Sequence, residues 1–347
     1  MSSSDDDVRL GIGEVPRLSL GFRRLQRDRQ QQSVAIARCK SWCRTSGLVR
    51  SEGAFKWYES WKIEQLISEA YPFADGDGLT LCGKVVIFTA LFDDQLDEFS
   101  EGHVQECAQK VQPFLNVLYG CPAPADSPTL LRAFAEIWRE SCLGRSASWR
   151  ARCLKGWEYY FSALVHESVN RAMGNHPRPL DIFFESRRGS GAMHPFLDVL
   201  EPGAGFELTP LAFNAPQIRV LRKIAIDLVD HINDVYSLPK ELARGQTENL
   251  VMTLDWENEY GLAEARKVAV EMIETDARRF LEVRATIPKV CAALGLEATD
   301  EEDTLRYVDA LEYWVGAFEP WQRLSPRYLN AMTERPPSEP WAAEVLL

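Results

Sequence analysis

Apolar residues recur at spacings of three and four along most of the chain, which is the period of one face of an α-helix. No segment alternates convincingly between apolar and polar residues, so the pattern predicts no strand. The helical spacing covers these segments: 24–46, 55–70, 79–99, 102–119, 128–143, 147–172, 212–244, 260–293 and 302–320.

Short breaks rich in Pro, Gly or Asp separate most of these segments. They fall at Pro72 to Gly78, Gly120 to Pro128, Gly174 to Pro179, Gly189 to Gly191, and Glu201 to Pro216. Since the breaks are short, the helices should be neighbours in one bundle. We expect a loose N-terminal tail over 1–22, one all-α bundle around a central active-site cavity over 23–335, and a C-terminal tail over 336–347.

Composition is that of an ordinary globular protein, because 46% of the 347 residues are hydrophobic and 26% are charged. The 51 acidic residues outnumber the 39 basic ones, giving a formal net charge of −12. This balance, without a Lys/Arg-rich run, argues against nucleic-acid binding, which depends on neutralising phosphates. A small anionic substrate needs local compensation from a few Arg and Lys residues or from a bound metal.

The sequence indicates a cytoplasmic protein with no stable membrane insertion. The start is Ser- and Asp-rich and lacks the features of a targeting segment. The longest apolar run, Val85 to Phe92, has eight residues, whereas a membrane span needs about 20. The 8 cysteines are scattered, with no C-x-x-C pair, which predicts buried thiols and no zinc site.

A phosphate-loop pattern, G-x-x-x-x-G-K, occurs between Gly78 and Lys84. The next residue is Val85, so the hydroxyl that would bind magnesium is missing, and no strand precedes the pattern. We therefore expect no phosphate loop here.

An acidic motif follows the most apolar helical segment. Asp93, Asp94 and Asp97 form D-D-x-x-D directly after Phe92. Asp93 and Asp97 are four residues apart, so both carboxylates point from one face near the end of the helix. The alternative is a solvated acidic turn, which the apolar residues upstream disfavour because they force this helix into the core.

A second polar stripe lies late in the segment 212–244. Asn233, Ser237 and Glu241 step by four, which aligns an amide oxygen, a hydroxyl and a carboxylate over about 12 Å of helix. Hard cations such as Mg²⁺ take oxygen ligands and share their remaining positions with substrate phosphates. The two motifs together predict a metal-dependent site for a phosphorylated substrate.

With both motifs in place, the chain resembles the class I terpene synthases of the bacterial and fungal type. The first motif matches their D-D-x-x-D/E signature. The second matches N-D-x-x-S-x-x-K-E at every position: Asn233, Asp234, Ser237, Lys240 and Glu241. Three further features agree, namely Tyr71-Pro72, Arg187 forty-six residues before Asn233, and Arg327-Tyr328. The resemblance covers roughly residues 55 to 330 and implies the helical fold of that family.

The resemblance implies ionisation of a linear isoprenyl diphosphate triggered by Mg²⁺, cyclisation of the carbocation, and release of diphosphate. It implies three Mg²⁺ ions, which Mn²⁺ can replace, between the substrate and the two motifs. The implied metal ligands are Asp93, Asp97, Asn233, Ser237 and Glu241.

The same resemblance implies roles for residues around the diphosphate. Arg187 senses the diphosphate, with Arg188 as the competing candidate. Hydrogen bonds to the diphosphate come from Lys240, Arg327 and Tyr328. A carbonyl near Ser190 to Gly191 faces the carbon that ionises.

Two positions depart from what the resemblance implies. The family often has Asp where this chain has Ser190, so a hydroxyl replaces the carboxylate that bridges Arg187 to Gly191. Pro239 lies between Ser237 and Glu241, and a proline inside a helix costs about 3 kcal/mol and a backbone hydrogen bond. A kink there would rotate Glu241 off the stripe.

Aromatic side chains are candidates for lining the cavity, because their faces stabilise cations. Phe92, beside the first motif, and Trp314, in the repeat Trp314, Phe318 and Trp321, are the first choices. The alternative for each ring is plain core packing, which is the commoner use of such stripes.

Several alternatives stay open at this point. Farnesyl diphosphate is the expected substrate and geranylgeranyl diphosphate the next, but C10, C15 and C20 substrates share one head group. A chain-elongating prenyl diphosphate synthase would need a second aspartate-rich motif, and Asp300 to Asp303 lacks the apolar context. A non-catalytic helical scaffold or binding protein is the other class. Family members are often homodimers, and the sequence leaves the oligomeric state open.

Overall fold

The computed structural model describes residues 17–25, 29–99, 104–174, 177–325 and 347, without the side chains of residues 29–32 and 97–99. Every regular element in these ranges is an α-helix, so the predicted all-α fold is confirmed. The helices are α1 (Arg29–Thr45), α2 (Glu52–Ser60), α3 (Ile63–Ala70), α4 (Gly76–Phe99), α5 (Val104–Leu118), α6 (Thr129–Cys142), α7 (Ala147–Ala172), α8 (Leu180–Ser190), α9 (Met193–Asp198), α10 (Leu200–Ala204), α11 (Pro210–Phe213), α12 (Pro216–Arg244), α13 (Leu250–Asn258), α14 (Leu262–Arg284), α15 (Ile287–Leu294) and α16 (Ala298–Leu324).

Two predicted segments are each divided in the structure. The segment 55–70 becomes α2 and α3 because Lys62 adopts a left-handed φ of 55°, which interrupts a right-handed helix. The segment 260–293 becomes α14 and α15, and α15 begins with a proline in its first turn. Helices α8 to α11 and α13 were not predicted, because short helices leave little periodicity to detect.

Helix α4 is buried on most of its circumference and contacts α1, α3, α6 and α10. Its Phe88 and Phe92 rings are fully buried. They join a cluster of aromatic rings from α5, α6 and α7: Phe114, Phe134, Trp157 and Phe161. The apolar run therefore places the end of α4, with its acidic motif, at the top of a densely packed layer.

The glycines of the phosphate-loop pattern serve helix packing. A β-carbon at Gly78 would collide with the backbone carbonyl of Gly203 in α10, and one at Gly83 with the thiol of Cys39 in α1. Both glycines lie inside α4. Their role is to let α1 and α10 approach α4 closely, in agreement with the expectation that this pattern is not a phosphate loop.

Helix α12 carries the second motif and contacts α8, α9, α13, α14 and α16. It continues through Pro239 to Arg244. Pro239 has no N–H to bond the carbonyl of Val235, four residues earlier. The Val235 carbonyl instead accepts a hydrogen bond of 2.9 Å from Nη2 of Arg266 in α14. Arg266, itself buried, replaces the bond that the proline removes.

Residues 17–25 pack along α16. Leu18 is buried, and Phe22 contacts the ring of Phe280 at 5.3 Å. Arg23 Nη2 bonds Glu312 at 2.9 Å, and its backbone N–H donates to the same carboxylate at 3.0 Å. The part of the predicted tail that the structure describes thus contacts the bundle, while the boundaries at 22 and 335 stay predictions.

All eight cysteines are free thiols, and six of them are buried, as the scattered pattern predicts. Burial raises the pKa of Cys39 to about 12, so this thiol is inert at neutral pH. Among the described helices, none combines the length and apolarity needed to cross a membrane.

Replacing Arg266 tests its compensation for Pro239. We expect Arg266→Met to lower the free energy of unfolding by about 2 kcal/mol, because the buried Val235 carbonyl loses its donor. In Pro239→Ala the backbone N–H returns, so the same Arg266 change should cost less than half as much. Urea unfolding followed by circular dichroism measures both; an equal cost in the two backgrounds would contradict the compensation.

Candidate active site

The first motif lies near the C-terminal end of α4, where the apolar run stops. Asp93 and Asp94 are half-buried and directly follow the buried Phe92. Asp97 belongs to the same helix, and its side chain lies outside the described residues. The fully buried Phe92 is thus followed directly by two half-buried carboxylates.

The second motif forms a stripe on α12. Asn233, Ser237 and Glu241 lie one turn apart each, as predicted. Ser237 is 1% exposed, and its hydroxyl oxygen has no hydrogen-bond partner within the described part of the chain. An unsatisfied buried oxygen between an amide oxygen and a carboxylate fits a divalent cation that takes oxygen ligands.

Asn249 holds the carboxylate of Glu241 in place, two residues after Pro239, where a helix kink would have rotated Glu241 off the stripe. The Nδ2 atom of this buried residue donates to Glu241 Oε2 at 2.7 Å and to the Asp234 carbonyl at 2.7 Å. Its Oδ1 accepts from the Val251 N–H at 2.8 Å and so caps α13. Asn249 therefore fixes the carboxylate of Glu241 relative to α12. The sequence pattern gives no signal for Asn249, because it predicts no helix at 250–258.

Arg187, near the end of α8, contacts the second motif directly. Its Nη2 donates to Asn233 Oδ1 at 2.9 Å, and its Nε donates to Asp234 Oδ1 at 3.0 Å. Burial alone would lower the pKa of Arg187, but Asp234, Asp230 and Glu241 outweigh it and raise the pKa well above its usual value. Arg187 is therefore a permanent cation held against the polar stripe.

Asp234 is the fully buried partner of Arg187. Its Oδ2 accepts from the Leu250 N–H at 3.0 Å, at the start of α13. Burial raises the pKa of Asp234, and Arg187 and the Leu250 amide act against that rise. The side chain thus joins α8, α12 and α13 at one point.

Arg188 points to different partners, which separates the two arginines that the sequence left as alternatives. Its Nε bonds Asp227 Oδ1 at 2.6 Å, and its Nη1 bonds Glu185 Oε1 at 2.7 Å. Lys223 bonds the same Asp227 at 2.6 Å. Arg188 is therefore anchored one to two turns before the stripe, and the geometry favours Arg187 as the residue beside the motif.

The helical backbone is interrupted at Gly191, between α8 and α9. The Gly191 N–H donates to the Arg187 carbonyl at 3.0 Å, and Ala192 then adopts a left-handed φ of 59°. Ser190 is buried, and its hydroxyl has no hydrogen-bond partner within the described residues. The hydroxyl bridge at Ser190 that the resemblance implies is therefore absent from the described part of the chain.

The two aromatic candidates lie in packed clusters. Phe92 contacts the rings of Phe114 and Phe161 at 4.9 and 5.4 Å. Trp314 stacks on Phe196 at 5.4 Å and meets Tyr71 edge-on at 5.8 Å. These contacts place both rings in the core, and their role in lining a cavity stays a prediction.

Three further residues are predicted to bind the substrate diphosphate. Lys240 is half-buried on α12, next to Glu241. Arg327 and Tyr328 lie outside the described residues. Their roles therefore stay predictions.

Residues 84–279 match the family model described as terpene synthase family 2, C-terminal metal binding. The chain is 31% identical over 302 residues to a (−)-β-caryophyllene synthase of Saccharothrix espanaensis, covering 86% of this chain and 85% of that protein. It is 30% identical to a pentalenene synthase of Streptomyces avermitilis, and the match covers 83% of this chain and 86% of that protein.

The fold also matches solved structures. Superposition on the crystal structure of germacradien-4-ol synthase from Streptomyces citricolor gives a TM-score of 0.78 at 28% identity, covering 93% of this chain and 99% of that one. Sequence and fold thus agree with the resemblance drawn from the two motifs. The chain belongs to the terpene synthase family and is a class I terpene cyclase, a lyase that forms terpenes from isoprenyl diphosphates.

Proposed function

We propose that this cyclase acts on farnesyl diphosphate, depends on Mg²⁺ and produces a sesquiterpene. The observation that carries the proposal is the stripe on α12, in which the unsatisfied Ser237 hydroxyl lies between Asn233 and a Glu241 held by Asn249. The choice of a C15 substrate is supported by the related caryophyllene synthase, which is named as cyclising (2E,6E)-farnesyl diphosphate.

In this proposal the metal ligands are oxygen atoms of both motifs: Asp93, Asp97, Asn233, Ser237 and Glu241. They suit Mg²⁺ because all are hard oxygen donors, and three ions are expected. When bound, such ions neutralise the negative charge of the leaving diphosphate without a proton transfer. The family model concerns a metal-binding domain, which supports a divalent metal; the identity and number of ions are our proposal.

Arg187 binds the diphosphate in this proposal, together with Lys240, Arg327 and Tyr328. Arg187 is well placed because Asn233 and Asp234 already orient its guanidinium at the stripe. A positioned cation stabilises charge that develops on the leaving group at no cost in reorganisation. Helix α9, which follows the break at Gly191, contacts both α4 and α12, the helices that carry the two motifs.

The carbocation needs a dry pocket of inert groups once the diphosphate has left. We assign Phe92 and Trp314 to its wall, where aromatic faces stabilise positive charge by about 0.5–2 kcal/mol each. The carbonyl of the Ser190–Gly191 segment faces the ionising carbon. Membership of a cyclase family favours this chemistry over chain elongation and over a non-catalytic scaffold.

The substrate assignment is tested with purified protein, Mg²⁺ and geranyl, farnesyl or geranylgeranyl diphosphate in separate reactions. We expect a C15 terpene from farnesyl diphosphate, with kcat/KM at least tenfold above the other two substrates. Mass spectrometry of the extract and a free diphosphate assay measure the products. Longer prenyl diphosphates as the sole products would instead indicate an elongating enzyme.

The metal assignment is tested by Asp93→Asn, Asn233→Ala and Ser237→Ala. Each should reduce turnover by at least 100-fold and abolish the thermal stabilisation that Mg²⁺ and inorganic diphosphate give together, because a ligand bound only to the native state raises its stability. Ser141→Ala is the control, since Ser141 is also a buried serine but lies on α6. A variant of Ser237 that keeps the full Mg²⁺ and diphosphate response would reject its assignment.

The role of Asn249 is tested by Asn249→Ser. Serine can still cap α13, so the helix should form, while the lost donor to the Asp234 carbonyl should cost about 1–3 kcal/mol. It cannot donate to Glu241, and the Mg²⁺ concentration for half-maximal activity should rise about tenfold or more, as is typical when the partner of a metal ligand is lost. An unchanged Mg²⁺ dependence in a folded variant would show that Asn249 only caps the helix.

A further inference from the structure

Asp230 is a buried carboxyl group that the proposed mechanism leaves without a role. It lies on α12, one turn before Asn233, and is 3% exposed. Its Oδ2 has no hydrogen-bond partner within the described part of the chain. A buried polar atom without a hydrogen bond lowers the stability of the fold, so the presence of this carboxyl group needs an explanation.

The Asp230 carboxyl group lies directly against the α-carbon of Gly191. A β-carbon at Gly191 would collide with Asp230 Oδ1, and would lie 2.7 Å from Cγ and 2.9 Å from Oδ2. Gly191 has ordinary helical angles, φ −67° and ψ −2°, so its backbone does not require glycine. The contact with Asp230 is what excludes a side chain here.

Gly191 in turn is connected to Arg187. The Gly191 N–H closes the last turn of α8 by bonding the Arg187 carbonyl at 3.0 Å. The neighbouring Ser190 hydroxyl bonds nothing within the described residues, so it does not fix this turn. Contact therefore runs from the Asp230 carboxyl to Gly191 and through one backbone hydrogen bond to Arg187.

The charges around Asp230 indicate that its shape matters more than its charge. Burial is the largest influence and raises the pKa of Asp230 well above its usual value. Arg187 and Arg188 act against this rise, but they already pair with Asp234 and Asp227. A neutral group of the same shape should therefore fill the position equally well.

We propose that Asp230 is a positioning residue, whose carboxyl group supports the helix break at Gly191 and thereby sets where Arg187 presents its guanidinium. The inference rests on the proposed function, because that function gives Arg187 its role at the diphosphate. Asp230 itself touches neither substrate nor metal in this account.

The first test compares Asp230→Ala with the isosteric Asp230→Asn. In Asp230→Ala, kcat should fall at least tenfold with KM changed less than threefold, and half-maximal thermal stabilisation at fixed Mg²⁺ should need at least fivefold more inorganic diphosphate. Asp230→Asn should stay within threefold of the wild type in each measurement. If both variants match the wild type, or if both lose function equally, the proposal is overturned.

The second test is suppression. Gly191→Ala should have a severely reduced kcat, because its methyl group meets the Asp230 carboxyl. The double variant Gly191→Ala with Asp230→Ala should have a kcat at least tenfold above that of Gly191→Ala. A double variant no better than Gly191→Ala contradicts the contact. Should Asp230→Ala not fold, Asp230→Ser, which is also shorter than Asp, takes its place in both tests.

Asp198 provides the matched control. It is a buried carboxyl group on α9 whose Oδ2 also lacks a partner among the described residues, and a β-carbon on Gly156 would lie 2.6 Å from that oxygen. Asp198 pairs with Arg222, which precedes Asn233 by about 16 Å of helix. Asp198→Ala should leave the diphosphate response of the folded protein within twofold of the wild type, whatever it does to the melting temperature.

The outcomes separate the two proposals. A wild-type protein with neither a diphosphate response nor a terpene product refutes the proposed function. A functional wild type with an Asp230→Ala variant equal to it refutes only the role of Asp230. If Asp198→Ala weakens the diphosphate response as much as Asp230→Ala does, the effect is one of general packing, and that role is also refuted.

Discussion

The buried ion pair between Arg187 and Asp234 is the interaction on which the candidate site depends. Asp234 is inaccessible to solvent, and it binds the end of α8 through Arg187 and the start of α13 through the Leu250 amide. Removing either partner of a buried pair leaves an uncompensated charge, which typically costs 3–5 kcal/mol. Three helices are therefore fixed at one carboxylate, and the oxygen stripe of α12 begins at the adjacent residue, Asn233.

Helix α12 has to satisfy two conflicting demands. The stripe of Asn233, Ser237 and Glu241 requires a regular helix, while Pro239 removes a backbone hydrogen bond inside it. Arg266 supplies the missing donor from α14, and Asn249 holds Glu241 from the start of α13. The regularity of the stripe is thus maintained by neighbouring helices, and α12 could not keep it in isolation.

The sequence predicts what depends on local spacing. The helical period identified most of the long helices, and the steps of four placed Asn233, Ser237 and Glu241 on one face. It could not predict Asn249, Arg266 or Asp230, because each acts across a helix boundary through a contact that no periodicity encodes. Arg187 and Arg188 are adjacent, so only the observed partners, Asn233 and Asp234 against Asp227, separate them.

The acidic residues of α12 explain why the candidate site should need a cation to accept an anion. In the proposed function a diphosphate beside α12 lies near the carboxylate of Glu241, and the guanidinium of Arg187 is already engaged by Asp234 and Asn233. Like charges repel strongly where water is excluded. In the proposed function a diphosphate therefore binds together with divalent ions or not at all. The net charge of −12, which argues against polyanion binding by the chain as a whole, is consistent with a site whose positive charge is largely supplied from outside the protein.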